Sequence, residues 1–361
     1  MPYILSTGIK VADFNYPQAA IQQFVYDLFP LKRHEKKRLL PIFEHAEIDK
    51  RQFAAPLKWF HKPHGLKERN DLYHEKALQY SIGAIRSCLS NEELLEQHIS
   101  PASIDHILFV SSTGISTPTL DAYIMNELGF RESTTRTPLF GLGCVGGTSG
   151  VARAYEWLLG NPEKNVLVVC VELCSLTFQP DDSSVSNFVG TALFGDGASA
   201  VLITGDNSQL LKQRTGAVPA ILNSNSRTKR HSVDVMGWKV VDSGFEVIFN
   251  KSIPRLVKEF WSLHAEEVVH QNGWTIDEFP LLIAHPGGRK VLEGYEEVFK
   301  LKEGVLEIPK QILANHGNMS SPTVHFVLHE AMNKHLEKGT RTIMTSLGPG
   351  FSSEIVSLEW M

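Results

Sequence analysis

Residues 165–172 read Asn-Val-Leu-Val-Val-Cys-Val-Glu, six consecutive apolar side chains between an amide and a carboxylate. An unbroken apolar run of this length is typical of a strand buried on both faces, as in sheets covered by helices. Similar short runs occur at residues 106–111, 198–204, 281–285 and 341–346. Helical stretches alternate with them at residues 21–29, 146–160, 254–269 and 322–338. Strands that alternate with helices predict an α/β chain.

The composition indicates a globular protein with about two domains. The chain has 361 residues, of which 42% are hydrophobic, and its 35 Lys and Arg against 40 Asp and Glu give a net charge of −5. This mildly acidic balance argues against a nucleic-acid partner. The longest apolar run, residues 166–171, is too short for a membrane span, and the first six residues show no signal-peptide pattern. We therefore expect a cytoplasmic protein.

The order of features along the chain indicates a loose internal duplication. The first half has a strand ending near residue 112, a glycine-rich loop at residue 144 and a strand around residue 169. The second half repeats this order at residues 285, 317 and 344. Because the stretch 206–229 has the least pattern, we place the division there and predict halves 1–215 and 216–361.

The segment 141–150, Gly-Leu-Gly-Cys-Val-Gly-Gly-Thr-Ser-Gly, places the thiol of Cys144 in a glycine-rich bend directly before a helical pattern. Glycines permit a sharp turn, and the N-H groups and dipole of a helix N-terminus lower the pKa of a nearby thiol. We expect Cys144 to be a nucleophile. Taken alone, such a cysteine is more often a small buried side chain beside a tight turn than a nucleophile.

Two further residues make the nucleophile hypothesis stronger. His285 ends an apolar run and is followed by Pro-Gly-Gly, so its ring is predicted to project from a strand end. Asn318 lies in a turn, residues 315–322, directly before a helical stretch. A thiol, an imidazole and an amide donor together form a constellation suited to covalent catalysis.

The cysteines and histidines do not predict a metal site. No Cys-x2-Cys spacing and no His-Glu-x-x-His motif occurs, and His325 and His329 lack a suitably spaced acidic third ligand. Four cysteines in so long a chain also give no disulfide framework. We expect no metal and no cofactor.

Five motifs, in this order, resemble those of the type III polyketide synthases of the chalcone synthase superfamily, within the thiolase-fold condensing enzymes. They are Gly143-Cys144, Phe194-Gly195-Asp196-Gly197-Ala198, His285-Pro286-Gly287-Gly288, Gly317-Asn318-Met319-Ser320-Ser321-Pro322 and Gly348-Pro349-Gly350-Phe351-Ser352. The resemblance spans most of the chain. It implies a thiolase-like fold of two duplicated α-β-α-β-α halves that form a five-layered core. Cys144 lies in the first half, residues 1–215, and His285 and Asn318 lie in the second half, residues 216–361. The resemblance also implies a homodimer.

The resemblance implies a catalytic triad of Cys144, His285 and Asn318. Cys144, as a thiolate paired with the imidazolium of His285, takes an acyl group from acyl-CoA as a thioester. Malonyl-CoA then loses CO2, and His285 and Asn318 donate hydrogen bonds to the resulting enolate. The enolate carbon attacks the thioester, so that CoA thioesters are the substrates and no cofactor takes part.

The resemblance also assigns residues to the substrate cavity. It implies that Phe194 guards the gate between the CoA tunnel and the cavity. A second gatekeeper position falls at or near Val247, with Phe245 and Phe249 close by, so its assignment stays open. Thr177 and the loop Gly348-Pro349-Gly350 are expected to contact substrate. The residues before this loop are Ser346-Leu347, where plant members commonly have Gly-Phe, so the cavity wall begins differently here.

Cys174 is the residue that favours a particular starter. Its position is usually threonine in chalcone synthases, and it resembles the cysteine of bacterial alkylpyrone-forming members that admit long acyl chains. A small apolar side chain there opens room. We expect medium- or long-chain fatty acyl starters and an alkylpyrone or alkylresorcinol product, with aromatic starters as the alternative and an inert core cysteine as the other reading of Cys174.

CoA carries phosphates, so a local basic patch is expected despite the acidic total. Arg38, within the basic cluster 32–38, matches a CoA-contacting position of the family, while two companion positions are Pro41 and His45. Arg289 and Lys290, which directly follow the His285 motif, are the other candidates.

Three other function classes share some of these residues. A ketoacyl-ACP synthase III uses the same Cys, His and Asn, but His285-Pro-Gly-Gly-Arg and Gly348-Pro-Gly-Phe-Ser are closer to the type III enzymes. A papain-like cysteine hydrolase lacks its Cys-Gly-Ser-Cys signature here. A catalytically inactive scaffold has no need of a thiol, an imidazole and an amide at the three matching motif positions.

Overall fold

The computed structural model describes residues 1–29 and 40–361. Its strands are β1 Tyr3–Val11, β2 Phe14–Pro17, β3 Lys50–Phe53, β4 His106–Val110, β5 Thr135–Leu139, β6 Asn165–Leu173, β7 Asp196–Thr204, β8 Pro219–Thr228, β9 Met236–Val241, β10 Gly244–Phe249, β11 Ile283–Ala284, β12 Arg341–Gly348 and β13 Ser352–Trp360. Its helices are Gln18–Leu28, Pro41–Glu44, Leu66–Leu89, Leu120–Leu128, Gly146–Leu159, Val185–Leu193, Ile253–Leu256, Ser262–Gln271, Arg289–Phe299, Glu307–His316 and Thr323–Met332.

Nine strands of the described chain form one mixed sheet, in the order β11-β12-β13-β8-β1-β7-β6-β4-β5. Strand β6 contains the apolar run quoted above, and all nine of its residues are buried. It pairs with β4 in parallel on one side and with β7 antiparallel on the other. Both edges and both faces of β6 are therefore covered, which explains why its sequence shows no polar alternation.

The sheet is built from two copies of one strand arrangement. In the first half, β4 runs parallel to β6, and β6, β7 and β1 follow antiparallel to one another. In the second half, β11, β12, β13 and β8 repeat these pairings in the same chain order. The halves meet where Tyr3 of β1 pairs with Ala220 of β8. The division at residue 215 stays a prediction, and β8 lies inside the stretch that showed little sequence pattern.

Helices cover the sheet and separate its two halves. The Gly146–Leu159 and Thr323–Met332 helices contact each other and strands of both halves, and they form the middle layer. The Leu66–Leu89 helix packs on β1, β6 and β7, whereas the Ser262–Gln271 helix packs on β13. This is the five-layered α-β-α-β-α core that the sequence predicts. Each middle helix begins just after a glycine-rich turn, which brings Cys144 and Asn318 together.

Three predicted elements differ in extent from those observed. The helix expected at 254–269 is broken by a π turn, Val257–Trp261, which holds the buried Trp261 so that its Nε1 donates to Thr345 Oγ1 at 2.9 Å. The helix expected at 322–338 ends at Met332. Strand β11 is only two residues long, because Leu282 N donates to Val305 O instead of to a neighbouring strand. In the described part of the chain, no helix has the length and hydropathy of a membrane span.

Candidate active site

Cys144 lies in a 3-10 turn, Gly143–Val145, directly before the Gly146–Leu159 helix. Gly143 has φ +53°, and a Cβ atom on it would lie 2.9 Å from Pro349 Cδ, so this position requires glycine. Its N-H donates to Ser112 Oγ at 3.2 Å. The turn is thus fixed to the end of β4, and the predicted loop Gly348-Pro349-Gly350 lies directly against it.

Asn318 is held by both its backbone and its side chain. Its N-H donates to Leu193 O at 2.8 Å, and its carbonyl accepts from Gly195 N at 3.0 Å, so it pairs with the gate residue Phe194. The amide Nδ2 donates to Gly287 O at 3.2 Å and lies 3.9 Å from Cys144 Sγ. The structure therefore places Asn318 beside the thiol in a fixed orientation.

His285 is buried at the end of β11, where its backbone N-H donates to Thr345 O at 2.9 Å. Neither ring nitrogen has a hydrogen-bond partner among the described residues. Burial lowers the pKa of His285 to about 3, so the ring is neutral at neutral pH. A neutral imidazole with free nitrogens can accept a proton or donate to a substrate oxygen.

The surroundings of Cys144 affect the protonation of its thiol. The side chain is half-buried by surface area but has protein atoms on almost every side, and this burial raises the pKa of the thiol to about 11. Hydrogen bonds from Ser320 and Asn318 lower the pKa by less than burial raises it. Burial therefore opposes the predicted thiolate–imidazolium pair, which stays a prediction for the free protein.

A buried carboxylate behind the thiol turn is a residue that the sequence analysis missed. Glu172, near the end of β6, accepts from Ser112 N at 3.0 Å, from Thr113 Oγ1 at 2.8 Å and from Ser321 Oγ at 3.0 Å. Burial raises its pKa to about 7. Glu172 ties the end of β4 to the Asn318 turn, and its sequence signal is a carboxylate that ends an apolar strand.

The residues that the resemblance assigns to the gate lie close together in the structure. Phe194, Cys174 and Val247 form one buried cluster, against which Trp238 and Phe249 pack. Phe194 and Val247 line both a cavity of about 30 Å³ that reaches Cys144 and a cavity of about 20 Å³ that reaches Cys174. Each cavity has room for about one or two water molecules. The two side chains thus separate the thiol from the pocket beside Cys174.

The pocket beside Cys174, here called the inner pocket, has mainly aromatic walls. Thr177 belongs to its lining, with its hydroxyl donating to Cys174 O at 2.7 Å. The phenylalanines that line it are Phe24, Phe53, Phe60, Phe178 and Phe194. The hairpin β9–β10, which the sequence analysis did not predict, supplies Val247 and closes one side.

A larger cavity of about 520 Å³ opens to the surface beside Phe249 and Gly287. Arg289 and Lys290 line it together with Lys251, and Arg289 pairs with Glu293 at 3.3 Å. His45, at a position the family commonly gives to a CoA contact, lies on the same rim. We call this cavity the basic mouth. Arg38 and the rest of its basic cluster lie outside the described residues.

Comparison with solved structures identifies a known fold with the same architecture. The 1,3,6,8-tetrahydroxynaphthalene synthase of Streptomyces coelicolor A3(2), a bacterial type III polyketide synthase, superposes with a TM-score of 0.90. It is 24% identical, and the alignment covers 99% of both chains. The fold is therefore that of a type III polyketide synthase.

Sequence comparison defines the family. Residues 56–207 match the N-terminal domain of the chalcone and stilbene synthases, and residues 227–359 match their C-terminal domain. A Bacillus subtilis (strain 168) protein assigned as a chalcone synthase is 39% identical over 361 residues, which are 100% of this chain and 99% of that protein. The 1,3,6,8-tetrahydroxynaphthalene synthase of Streptomyces peucetius subsp. caesius is 31% identical over 96% of this chain and 90% of its own. The chain belongs to the chalcone and stilbene synthase family and is a type III polyketide synthase, an acyl-transferring condensing enzyme.

Proposed function

We propose that this polyketide synthase loads a medium- or long-chain fatty acyl group from CoA onto Cys144, extends it with malonyl-CoA and releases an alkylpyrone or alkylresorcinol. The observation that carries the choice of starter is the inner pocket, which lies beyond Phe194 and beside Cys174 and has aromatic walls. Each methylene buried in such an apolar pocket contributes up to about 0.8 kcal/mol. Affinity is therefore expected to rise with chain length.

Loading begins from a neutral thiol and a neutral imidazole. As Cys144 Sγ attacks the thioester carbonyl, its proton passes to His285, and the CoA thiolate leaves with that proton. The acyl group is then bonded to Sγ. His285 is neutral again, ready for the next step.

Extension uses the amide and the imidazole as donors. When the malonyl group loses CO2, the electron pair of the broken C-C bond forms an enolate, whose oxygen accepts from Asn318 Nδ2 and a His285 N-H. The enolate carbon then bonds to the thioester carbonyl carbon and releases the Cys144 thiolate. Asn318 is suited to this role because Gly287 and the Phe194 bridge hold it beside Sγ.

The basic mouth is the proposed binding site for the CoA phosphates. Lys251 and Lys290 are exposed on its rim, and neither forms an ion pair among the described residues. Arg289 already forms ion pairs with Glu293 and Glu47. The two lysines are therefore the stronger phosphate ligands of the residues that the structure describes, with Arg38 as a candidate from the sequence alone.

A second candidate product class follows from the small size of the closed cavities. The relatives include a 1,3,6,8-tetrahydroxynaphthalene synthase and a phloroglucinol synthase, and neither of the products in these names carries an alkyl chain. Cavities of about 20 and 30 Å³ hold neither kind of product as they stand, and a compact product requires less movement of the aromatic side chains than an alkylated one. A fatty acyl starter requires Phe194 to move.

Competition between starters tests the proposal. The protein is mixed with labelled malonyl-CoA and equal concentrations of lauroyl-CoA and coumaroyl-CoA, without carrier protein. Alkylated pyrones or resorcinols are the expected products. A coumaroyl product supports aromatic starters, a product formed from malonyl-CoA alone supports the second candidate, and a requirement for carrier protein supports a ketoacyl-ACP synthase.

A matched pair of variants tests the role of Cys174. Cys174→Phe fills the inner pocket and is expected to shift preference from lauroyl-CoA to butyryl-CoA, while Cys174→Ser keeps the size of the side chain and the long-chain preference. The ratio of kcat/KM for the two starters is the measurement. An unchanged ratio in Cys174→Phe would show that the acyl chain does not pass this residue.

We also propose that the protein is a homodimer. Ile115 and Phe140 are 49% and 64% exposed and line one surface cavity of about 240 Å³. Exposed apolar side chains grouped in this way are typical of an interaction surface. Light scattering is expected to give twice the chain mass, and Phe140→Lys is expected to shift the protein toward the monomer.

A further inference from the structure

A buried cation lies in the wall of the inner pocket. Arg51, on β3, has no exposed surface. Its Nε donates to Gln18 Oε1 at 2.9 Å, and its Nη1 donates to Thr191 O and Phe194 O, both at 2.7 Å. Three of its N-H directions are therefore occupied by the protein. The guanidinium is held rigidly, directly behind the gate.

The remaining guanidinium nitrogen, Nη2, is buried without a hydrogen-bond partner among residues 1–29 and 40–361. Arg51 lines the inner pocket, which extends from Cys174 past Phe178. The other polar side chains of this wall direct their donors to the protein: Ser175 to Asp196, Thr177 to Cys174, Asn187 to Gln179 and Thr191 to Asn187. Nη2 is thus the wall group left with N-H donors to offer to a molecule in the pocket.

We infer that the inner pocket recognises an oxygen atom on the acyl chain through Arg51 Nη2, so that the preferred starter is a hydroxylated or oxo fatty acyl group. This inference rests on the proposed function. An unsubstituted alkyl chain that fills the pocket leaves this buried donor unpaired, which is unfavourable. A chain with an oxygen at the right carbon gives the donor a partner.

The charges around Arg51 favour a neutral oxygen over a carboxylate. Asp196 is buried close enough to interact with the Arg51 charge and accepts from Ser175 and from Ala54 N. The guanidinium therefore already has a counter-charge in the interior. A chain that ends in a carboxylate adds a second negative charge to an apolar pocket, whereas a hydroxyl or ketone adds none.

The test uses lauroyl-CoA and a set of hydroxylauroyl-CoA isomers that carry the hydroxyl at carbon 3, 6, 9 or 12. Equilibrium binding is measured calorimetrically on Cys144→Ala, which cannot load the acyl group, and kcat/KM is measured on the wild type. A hydrogen bond to a charged donor predicts that one isomer binds roughly 10- to 100-fold more tightly than lauroyl-CoA. Equal affinities for all the isomers would overturn the inference.

Two substitutions distinguish recognition of the chain oxygen by Arg51 Nη2 from a role of Arg51 in supporting the gate residue Phe194. Arg51→Met removes Nη2 together with the bonds to Thr191 and Phe194, and it is expected to bring the ratio of hydroxylauroyl to lauroyl affinity close to 1. Gln18→Leu removes the partner of Nε and the bond from Gln18 Nε2 to Ala192 O but keeps Nη2, so both affinities are expected to change together and the ratio to persist. A ratio that collapses in Gln18→Leu as well would assign Arg51 to gate support alone.

The results also distinguish this inference from the proposed function. Turnover of lauroyl-CoA with no preference among the isomers leaves the fatty acyl proposal standing and contradicts the role of Arg51. Selective binding of one isomer without any alkylated product supports the role of Arg51 and contradicts the proposed reaction. Should Arg51→Met fail to fold, the isomer profile of the wild type decides the question by itself.

Discussion

The two glycine-rich turns of the active site occupy equivalent places in the two halves but are stabilised differently. The Cys144 turn is bonded within its own half, through Gly143 N and Ser112 Oγ. The Asn318 turn is bonded to the other half, through Leu193 O and Gly195 N. Backbone bonds from the first half therefore help to hold both turns, and each half contributes residues to the candidate site: Cys144 from the first, His285 and Asn318 from the second.

The strand ends beside these turns show the same contrast. Ser112, after β4, donates from its backbone to Glu172, and its hydroxyl accepts from Gly143. His285, after β11, leaves both ring nitrogens free among the described residues. The equivalent strand ends of the two halves thus differ: Ser112 is bonded into the scaffold, whereas the His285 ring is available for the proton transfer that we propose.

The largest effect is expected from removing the thiol. Cys144→Ala is expected to abolish acyl loading, because no other group at the turn can form the thioester, while its melting temperature stays close to that of the wild type. Cys174→Ala is the matched control and should still load. Condensation at the wild-type rate by Cys144→Ala would show that another residue is the nucleophile.

Asn318→Ala tests the contribution of the second turn. Loss of one preorganised donor costs roughly 100- to 1000-fold in rate, so decarboxylation of malonyl-CoA is expected to fall by this amount. Loading of Cys144 is expected to fall much less, because the enolate forms only afterwards. Equal losses in the two partial reactions would instead mean that Asn318 only positions the thiol.

The pH dependence of cysteine alkylation tests the protonation states of Cys144 and His285. With the pKa of Cys144 raised to about 11, the thiolate fraction rises about tenfold per pH unit, so labelling by iodoacetamide is expected to increase about 100-fold between pH 7 and 9. A thiolate–imidazolium pair would instead give a flat profile across this range. Peptide mapping identifies the labelled residue.

A smaller effect is expected from adding a methyl group to the second turn. Gly317 has φ +67°, and a Cβ atom there would lie 2.5 Å from Leu193 O, so Gly317→Ala combines backbone strain with a clash. Gly129 has φ +68° and nothing within 4 Å of such an atom, so Gly129→Ala has the strain alone, about 1–2 kcal/mol. Urea unfolding should show the larger loss in Gly317→Ala. If both variants lost the same free energy of unfolding, the Gly317 turn would be able to move away from Leu193 O without an energetic penalty.

The α/β class of the core was predictable from local sequence because burial leaves a local signature, whereas its five layers were expected from the family resemblance. The apolar run of β6 needs no knowledge of its neighbours, since a strand covered on both faces is apolar along its whole length. The motifs around Cys144, His285 and Asn318 were visible for a similar reason, because each joins a reactive residue to the glycines that its turn requires. The apolar run and the glycine-rich motifs can each be recognised within a few consecutive residues.

Other parts of the site were not predictable because the role of each residue depends on residues that are far away in the sequence. Arg51 is followed by Gln-Phe-Ala-Ala, and nothing local distinguishes it from a surface cation, yet its acceptors lie 140 and 143 positions away. The burial that raises the pKa of Cys144 was not predictable for the same reason. The helix N-terminus is a local feature of the sequence, whereas the Pro349 and Asn318 loops that lie against the thiol belong to the other half.

The most direct test of the central claim is mass spectrometry of Asn318→Ala after incubation with lauroyl-CoA. If Cys144 carries the acyl group and Asn318 acts only at the enolate, this variant accumulates one lauroyl group that hydroxylamine releases. Peptide mapping is expected to place that group on Cys144. A lauroyl group on Cys174 or on any other residue, or none at all while the wild type still forms alkylated products, would contradict the account.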